Sequence, residues 1–78
     1  MEKLKTLFAR IMGIKEGEVN EGSSPENIES WDSFNSLMLI SELEKNFNLT
    51  FTTEEIIAVK NYADIIKALK KHGIKGVD

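Results

Sequence analysis

Apolar positions recur at helical spacing in four stretches of the chain. Between residues 2 and 12, Leu4, Leu7, Phe8 and Ile11 fall at i, i+3, i+4 and i+7, which is one face of a helix, while Lys3, Lys5 and Arg10 take the other faces. Gly13 follows as a natural stop. A second stripe, over 33–47, combines Phe34, Leu37, Ile40 (or Ser41), Leu43 and Phe47, widened by Leu39. Asp32 or Ser33 can cap its start, where an acid suits the positive end of the helix dipole. Thr52 and Glu55 have capping-box spacing and open a short helix over about 53–59 that carries Ile56, Ile57 and Val59. Asn61 and Asp64 repeat that signal for a last helix over about 62–72, with Tyr62, Ile65, Ile66 and Leu69 on a common side. Lys67, Lys70 and Lys71 load its C-terminal end, as the dipole prefers, and Gly73 ends it.

No alternating pattern long enough for a strand interrupts these periods. The expected fold class is therefore all-α: a small four-helix bundle with three longer helices and one short one. The longer connection, 13–32, holds three of the five glycines and the only proline, Pro25. A loop of roughly twenty residues is uncommon in a compact domain unless it is functional or internally packed. Ile14, Val19 and Ile28 are spaced as anchors that can pin it to the core. Leu7, Ile11, Leu37, Leu43, Phe47, Ile57, Ile65 and Leu69 are expected to be mostly buried.

The length of 78 residues suits one domain, 1–78, with a single modest core. No apolar run approaches the ~18 residues of a membrane span, and the N-terminal "MEKLKTLFARIM" lacks the small-residue cleavage site of a signal peptide. Cysteine is absent, which excludes disulfides and thiolate metal sites and fits a reducing compartment, here the cytoplasm. Any thiol chemistry would need a thiol from elsewhere.

The net charge of −3 is unevenly distributed. From Glu16 to Asp64 eleven acids face two bases, whereas each end of the chain carries four bases and one acid. The acidic middle disfavours nucleic acid and favours basic protein surfaces, although solubility alone accounts for such a charge.

Enzymatic chemistry finds little support. The single histidine, His72, sits in a lysine-rich terminal turn, where it reads as a solvated cation rather than a held base for a nucleophilic serine. The acids lack the loop pattern of a calcium site, and no phosphate-cradling glycine loop is present. Ser33, in contrast, is placed to be acted upon. A hydroxyl at the positive end of a helix suits attachment of a phosphodiester, because free N–H groups and the dipole favour the anion. On physics alone an ordinary cap is the simpler account of it.

"WDSFNSLMLISELEKNF" resembles the carrier-helix segment of acyl carrier proteins, in which an Asp-Ser-Leu element begins the second helix. The resemblance extends through the amphipathic first helix, the long loop and the "FTTEEIIAVKNYADIIKAL" ending. It implies that Ser33 carries a covalent 4′-phosphopantetheine arm taken from coenzyme A, with Asp32 and Phe34 as motif neighbours and Phe34 in place of the usual leucine. It also implies a non-enzymatic monomer whose partners are a phosphopantetheinyl transferase and the enzymes that load and transfer acyl groups, in fatty-acid, polyketide or related specialised biosynthesis. The absent cysteine then follows, since the thiol belongs to the arm.

The second helix departs from the family's strongly acidic outer face. Asn35, Met38 and Ser41 are expected at early outward positions, and Lys45 lies beside Glu44. These five residues are the candidate partner-recognition set, and their reduced acidity reads either as neutral drift on a solvated surface or as a carrier dedicated to its own enzymes, the second being preferred. Two alternatives stand beside this reading. An aminoacyl or peptidyl carrier shares the arm and fold, but usually has Gly-Gly before the serine, which "WDS" does not show. An unmodified helical adaptor would use Ser33 only as a cap.

Overall fold

A computed structural model describes residues 3–76 as four α-helices and one short 3-10 turn: α1 (Leu4–Met12), the turn (Glu16–Glu18), α2 (Ser33–Phe47), α3 (Thr53–Ala58) and α4 (Tyr62–Lys71). The described residues contain no strand. Glu2, included in the expected first helix, lies outside them. No described helix is long and apolar enough to cross a membrane.

Each helix begins or ends where side-chain chemistry requires. Gly13 closes α1 at φ 68, a left-handed conformation that costs glycine little, and Ile14 N–H returns to the Ala9 carbonyl at 3.0 Å. Asn48 does the same for α2 at φ 54. Asp32, rather than Ser33, is the N-cap of α2, its side chain accepting from Asn35 N–H. The Thr52–Glu55 capping box forms at α3, and Asn61 caps α4 by accepting from Asp64 N–H.

Phe8 is fully buried at the centre of the core. Trp31 from the loop and Tyr62 from α4 meet its ring edge-on, each at a centroid distance of 5.1 Å. Such aromatic pairs add to the burial they provide. Burial also pushes the Tyr62 phenol up to about 12. Leu4, Leu7, Leu39, Leu43, Ile65 and Leu69 complete the inner layer.

The long loop is a packed part of this core. Val19, Ile28 and Trp31 are buried, and Ile14 packs partly buried against them. The loop also satisfies the helix ends it passes. Ser30 Oγ donates to the Met12 carbonyl at 2.6 Å, at the end of α1. The Ser23 and Glu21 carbonyls accept from Tyr62 and Ala63 N–H at 2.8 and 3.3 Å, at the start of α4. Helix termini leave such groups without intrahelical partners, so these bonds fix the loop to both helices.

Three burial expectations are corrected. Leu37 and Ile57 are 68% and 70% exposed, and Ile11 is half-buried. In α2 the buried stripe is Leu39, Leu43 and Phe47, a face that excludes both Phe34 and Leu37. Phe34 precedes Leu43 by nine residues, which at ~100° per residue places it about 180° away. It is 69% exposed.

Candidate functional site

Ser33 is the first residue of α2, immediately after a cap fixed from several directions. Asp32 Oδ1 accepts Asn35 N–H at 2.9 Å, and the Asp32 carbonyl accepts Ser36 N–H at 2.8 Å. The Asn35 side-chain amide donates to the Ser30 carbonyl at 2.7 Å, joining the first turn of α2 to the loop. Trp31 Nε1–H donates to Ser36 Oγ at 2.8 Å. This last bond spans the N′ and N4 positions, where an apolar pair often sets the angle at which a chain enters its helix. Here a buried ring and a half-buried hydroxyl do so.

The residues around Ser33 are thus held, while Ser33 itself is exposed. Among the described residues its hydroxyl has no hydrogen-bond partner, and neither do the N–H groups of Ser33 and Phe34. A phosphodiester on Ser33 would meet two free donors and the positive end of a helix fifteen residues long. The residues present therefore fit a 4′-phosphopantetheine arm. Phe34, next to Ser33, is 69% exposed.

Beside this site a small cavity of about 50 Å³ separates α2 from α3, lined by Trp31, Ser36, Leu37, Leu39, Ile40, Ile56 and Val59. A wider depression of about 700 Å³ follows the loop past Met12, Ile14, Ile28 and Ser30, away from the Ser33 hydroxyl.

The five candidate recognition residues do not share one environment. Met38, Ser41 and Lys45 are exposed on α2. Asn35 is half-buried, its amide engaged by Ser30. Glu44 turns toward the following segment, where Oε2 accepts Phe51 N–H at 2.8 Å. The expected outward placement therefore fails for Asn35, and Glu44 is tied down. Glu42 pairs with Arg10 at 3.4 Å and with Lys45 at 3.8 Å.

His72 is also corrected. Its Nε2 meets the Glu55 carboxylate at 2.9 Å, and its ring stands edge-on to Phe51 at 5.4 Å. Glu55 is held below the usual 4.5 by the Thr52 backbone N–H and then by the His72 side chain. The pair joins the end of α4 to the start of α3. Neither a capping box nor a lone terminal histidine signals the other, so this pair was missed in the sequence. Trp31–Ser36 was missed for a similar reason, since each residue has an ordinary role alone. Among the described residues no three His, Cys, Asp or Glu side chains gather to hold a metal.

Known proteins share this fold. Residues 2–69 match the family described as a phosphopantetheine attachment site. Among solved structures, the solution structure of a holo acyl carrier protein from Geobacter metallireducens superposes with a TM-score of 0.79. It is 25% identical, with 87% of this chain and 78% of that one covered. A chain from Mycobacterium tuberculosis assigned as an acyl carrier protein superposes at 0.78, with 88% and 92% covered. At 17% identity it speaks to the fold alone. With most of its length matched and its fold shared, the chain belongs to the phosphopantetheine-attachment family, that of the acyl carrier proteins.

Proposed function

We propose that Ser33 is the attachment residue, and that the chain carries acyl groups as thioesters for fatty-acid, polyketide or related specialised biosynthesis. The observation that carries this reading is an exposed hydroxyl without a partner, at the first residue of a helix whose neighbouring residues are held. Loading forms a bond from Ser33 Oγ to the β-phosphorus of coenzyme A and breaks the pyrophosphate link. The adenosine 3′,5′-bisphosphate half leaves, and the serine proton passes to a base of the transferase. The arm supplies the thiol that this cysteine-free chain lacks.

The chain's own contribution is positioning. Asp32 keeps the first turn of α2 formed through Oδ1, and its other carboxylate oxygen would help the incoming enzyme hold a metal ion. The Ser33 and Phe34 N–H groups would donate to the phosphodiester oxygens. A free thiol on the arm calls for a reducing compartment such as the cytoplasm. The reduced acidity of α2 marks a carrier dedicated to its own enzymes. Incubation with coenzyme A, Mg²⁺ and a broad-specificity phosphopantetheinyl transferase, followed by intact-mass measurement, tests the assignment. Wild type gains one arm and Ser33→Ala gains none. Equal gain in both would remove Ser33 from the site.

A further inference from the structure

A cavity of about 310 Å³ opens between the start of α1, the loop at residues 19–21 and α4. Neither α2 nor Ser33 contributes to its lining. Its floor is formed by Leu4, Val19, Tyr62 and Ile66, all of them buried, and its rim is exposed. Sites for small molecules are built in this way, with an apolar floor, a volume of about 300–1,000 Å³ and a few converging polar groups.

Tyr62 sets this cavity apart. The residue is only 3% exposed, yet among the described residues nothing pairs with its hydroxyl. None of their side-chain oxygens or nitrogens is both unpaired and sealed from solvent, so the hydroxyl reaches open space, and the cavity is the space that Tyr62 lines. A hydroxyl taken out of bulk water without a partner costs free energy, which an incoming acceptor recovers. With the phenol pushed up to about 12, the group stays protonated and able to donate at neutral pH.

The rim selects the charge of a ligand. Lys3 and Lys5 border the cavity, are exposed, and have no ion-pair partner among the described residues. Asn20 Oδ1 already accepts Gly22 N–H at 2.8 Å, so its side-chain amide is left to donate. Against these donors stands one carboxylate, Glu21. Two ammonium groups, a phenol and an amide above an apolar floor suit an anion with a short apolar body.

We propose that this cavity is a binding site for a small aliphatic carboxylate, separate from the Ser33 site. The Tyr62 hydroxyl and the Lys3 and Lys5 ammonium groups hold the carboxylate, and the tail lies on Leu4, Val19 and Ile66. Binding here is non-covalent and does not require an arm on Ser33.

The probe is sodium hexanoate, titrated into the full chain and followed by two-dimensional amide NMR, with acetate and n-hexanol as controls. Hexanoate is expected to saturate with a Kd of about 1 mM or tighter, shifting Lys5, Val19, Tyr62 and Ile66. Acetate lacks the tail and hexanol lacks the charge, so each is expected to bind at least about fivefold more weakly. Tyr62→Phe keeps the ring on Phe8 and removes the hydroxyl. It is expected to weaken hexanoate about tenfold, with a melting temperature no lower than that of wild type, since the hydroxyl has no protein partner to lose. Lys3→Gln with Lys5→Gln should act in the same direction. Glu21→Gln should tighten binding about twofold, because it removes the one carboxylate from the rim. Ser33→Ala should bind like wild type, which separates this result from that of the loading assay. No saturation below ~20 mM would overturn the proposal, as would equal binding by wild type and Tyr62→Phe. Hexanol binding as tightly as hexanoate, or weaker binding by Glu21→Gln, would overturn it too, since the ligand would then not be held as an anion. So would shifts centred on Trp31, Leu37, Ile56 and Val59, which would place hexanoate in the small cavity between α2 and α3.

Discussion

α4 and α2 both carry apolar residues at helical spacing, yet only α4 buries the set that its pattern suggests. Tyr62, Ile65, Ile66 and Leu69 are all buried. Nearly everything else on α4 is charged or small, so only one face can turn inward. α2 has seven large apolar residues: Phe34, Leu37, Met38, Leu39, Ile40, Leu43 and Phe47. One helical face cannot hold seven, and two stripes compete. Leu39, Leu43 and Phe47 face the core, while Phe34, Leu37 and Met38 are left in solvent. A surplus of apolar residues on a surface helix is thus informative by itself. In α2 the surplus lies beside Ser33, and in α4 there is none.

The sharpest way to break this contrast is to truncate one leucine from each stripe of α2. Leu43 is fully buried, and Leu43→Ala is expected to lower stability by about 2–5 kcal/mol. That is a large share of what a domain this small possesses. Leu37→Ala, at 68% exposure, is expected to change stability by less than about 0.5 kcal/mol. Chemical denaturation of both variants supplies the comparison. Similar losses would mean that Leu37 carries packing in solution and that the two stripes are not distinct.

The sequence disclosed most of the frame and about half of the site's surroundings. Helix periods, the capping box at Thr52 and the cap at Asn61 are local signals, and all of them appear in the structure. The loop anchors Val19 and Ile28 were legible because buried apolar residues are rare in polar loops. The depth at which Trp31 sits was not legible, since nothing local says that a tryptophan before a cap will pack against Phe8. The stripe of α2 was misread because i, i+3 and i+4 spacing fits either set of leucines. The choice is made by what packs against the helix, which is a tertiary fact. The roles of Asn35 and Glu44 were hidden similarly: an exposed-looking polar residue becomes a tie only when the loop passes within reach.

A smaller effect tests how the start of α2 is held. Its first turn is fixed to the loop by side-chain hydrogen bonds, whereas the first turn of α4 is fixed by its backbone N–H groups donating to loop carbonyls. Trp31→Phe keeps an aromatic ring against Phe8 and removes the N–H that Ser36 Oγ accepts. The hydrogen bond accounts for about 0.5–1.5 kcal/mol of the expected loss, and the smaller ring adds a packing loss at this buried site. Thermal melts measure it directly. An unchanged melting temperature would show that packing alone sets the entry of α2, and the contrast with α4 would lose one of its terms.

The smallest expected effect concerns the other end of α4, where His72 reaches Glu55 on α3. The Thr52 N–H, and after it His72, favour the ionised carboxylate and hold Glu55 below 4.5. A carboxyl whose folded value is depressed stabilises the fold fully above its unfolded value and loses that contribution as pH falls through the folded value. Glu55→Gln keeps an oxygen that can accept from Thr52 N–H but removes the charge. The variant should therefore melt slightly below wild type at neutral pH, and the gap should close as pH falls below 4.5. The other acids titrate alike in both proteins, so the difference between the two melting curves isolates this residue. A gap that persists unchanged to low pH would show that the loss comes from shape or hydration at position 55. The charge on Glu55 would then contribute nothing measurable to holding the end of α4 against the start of α3.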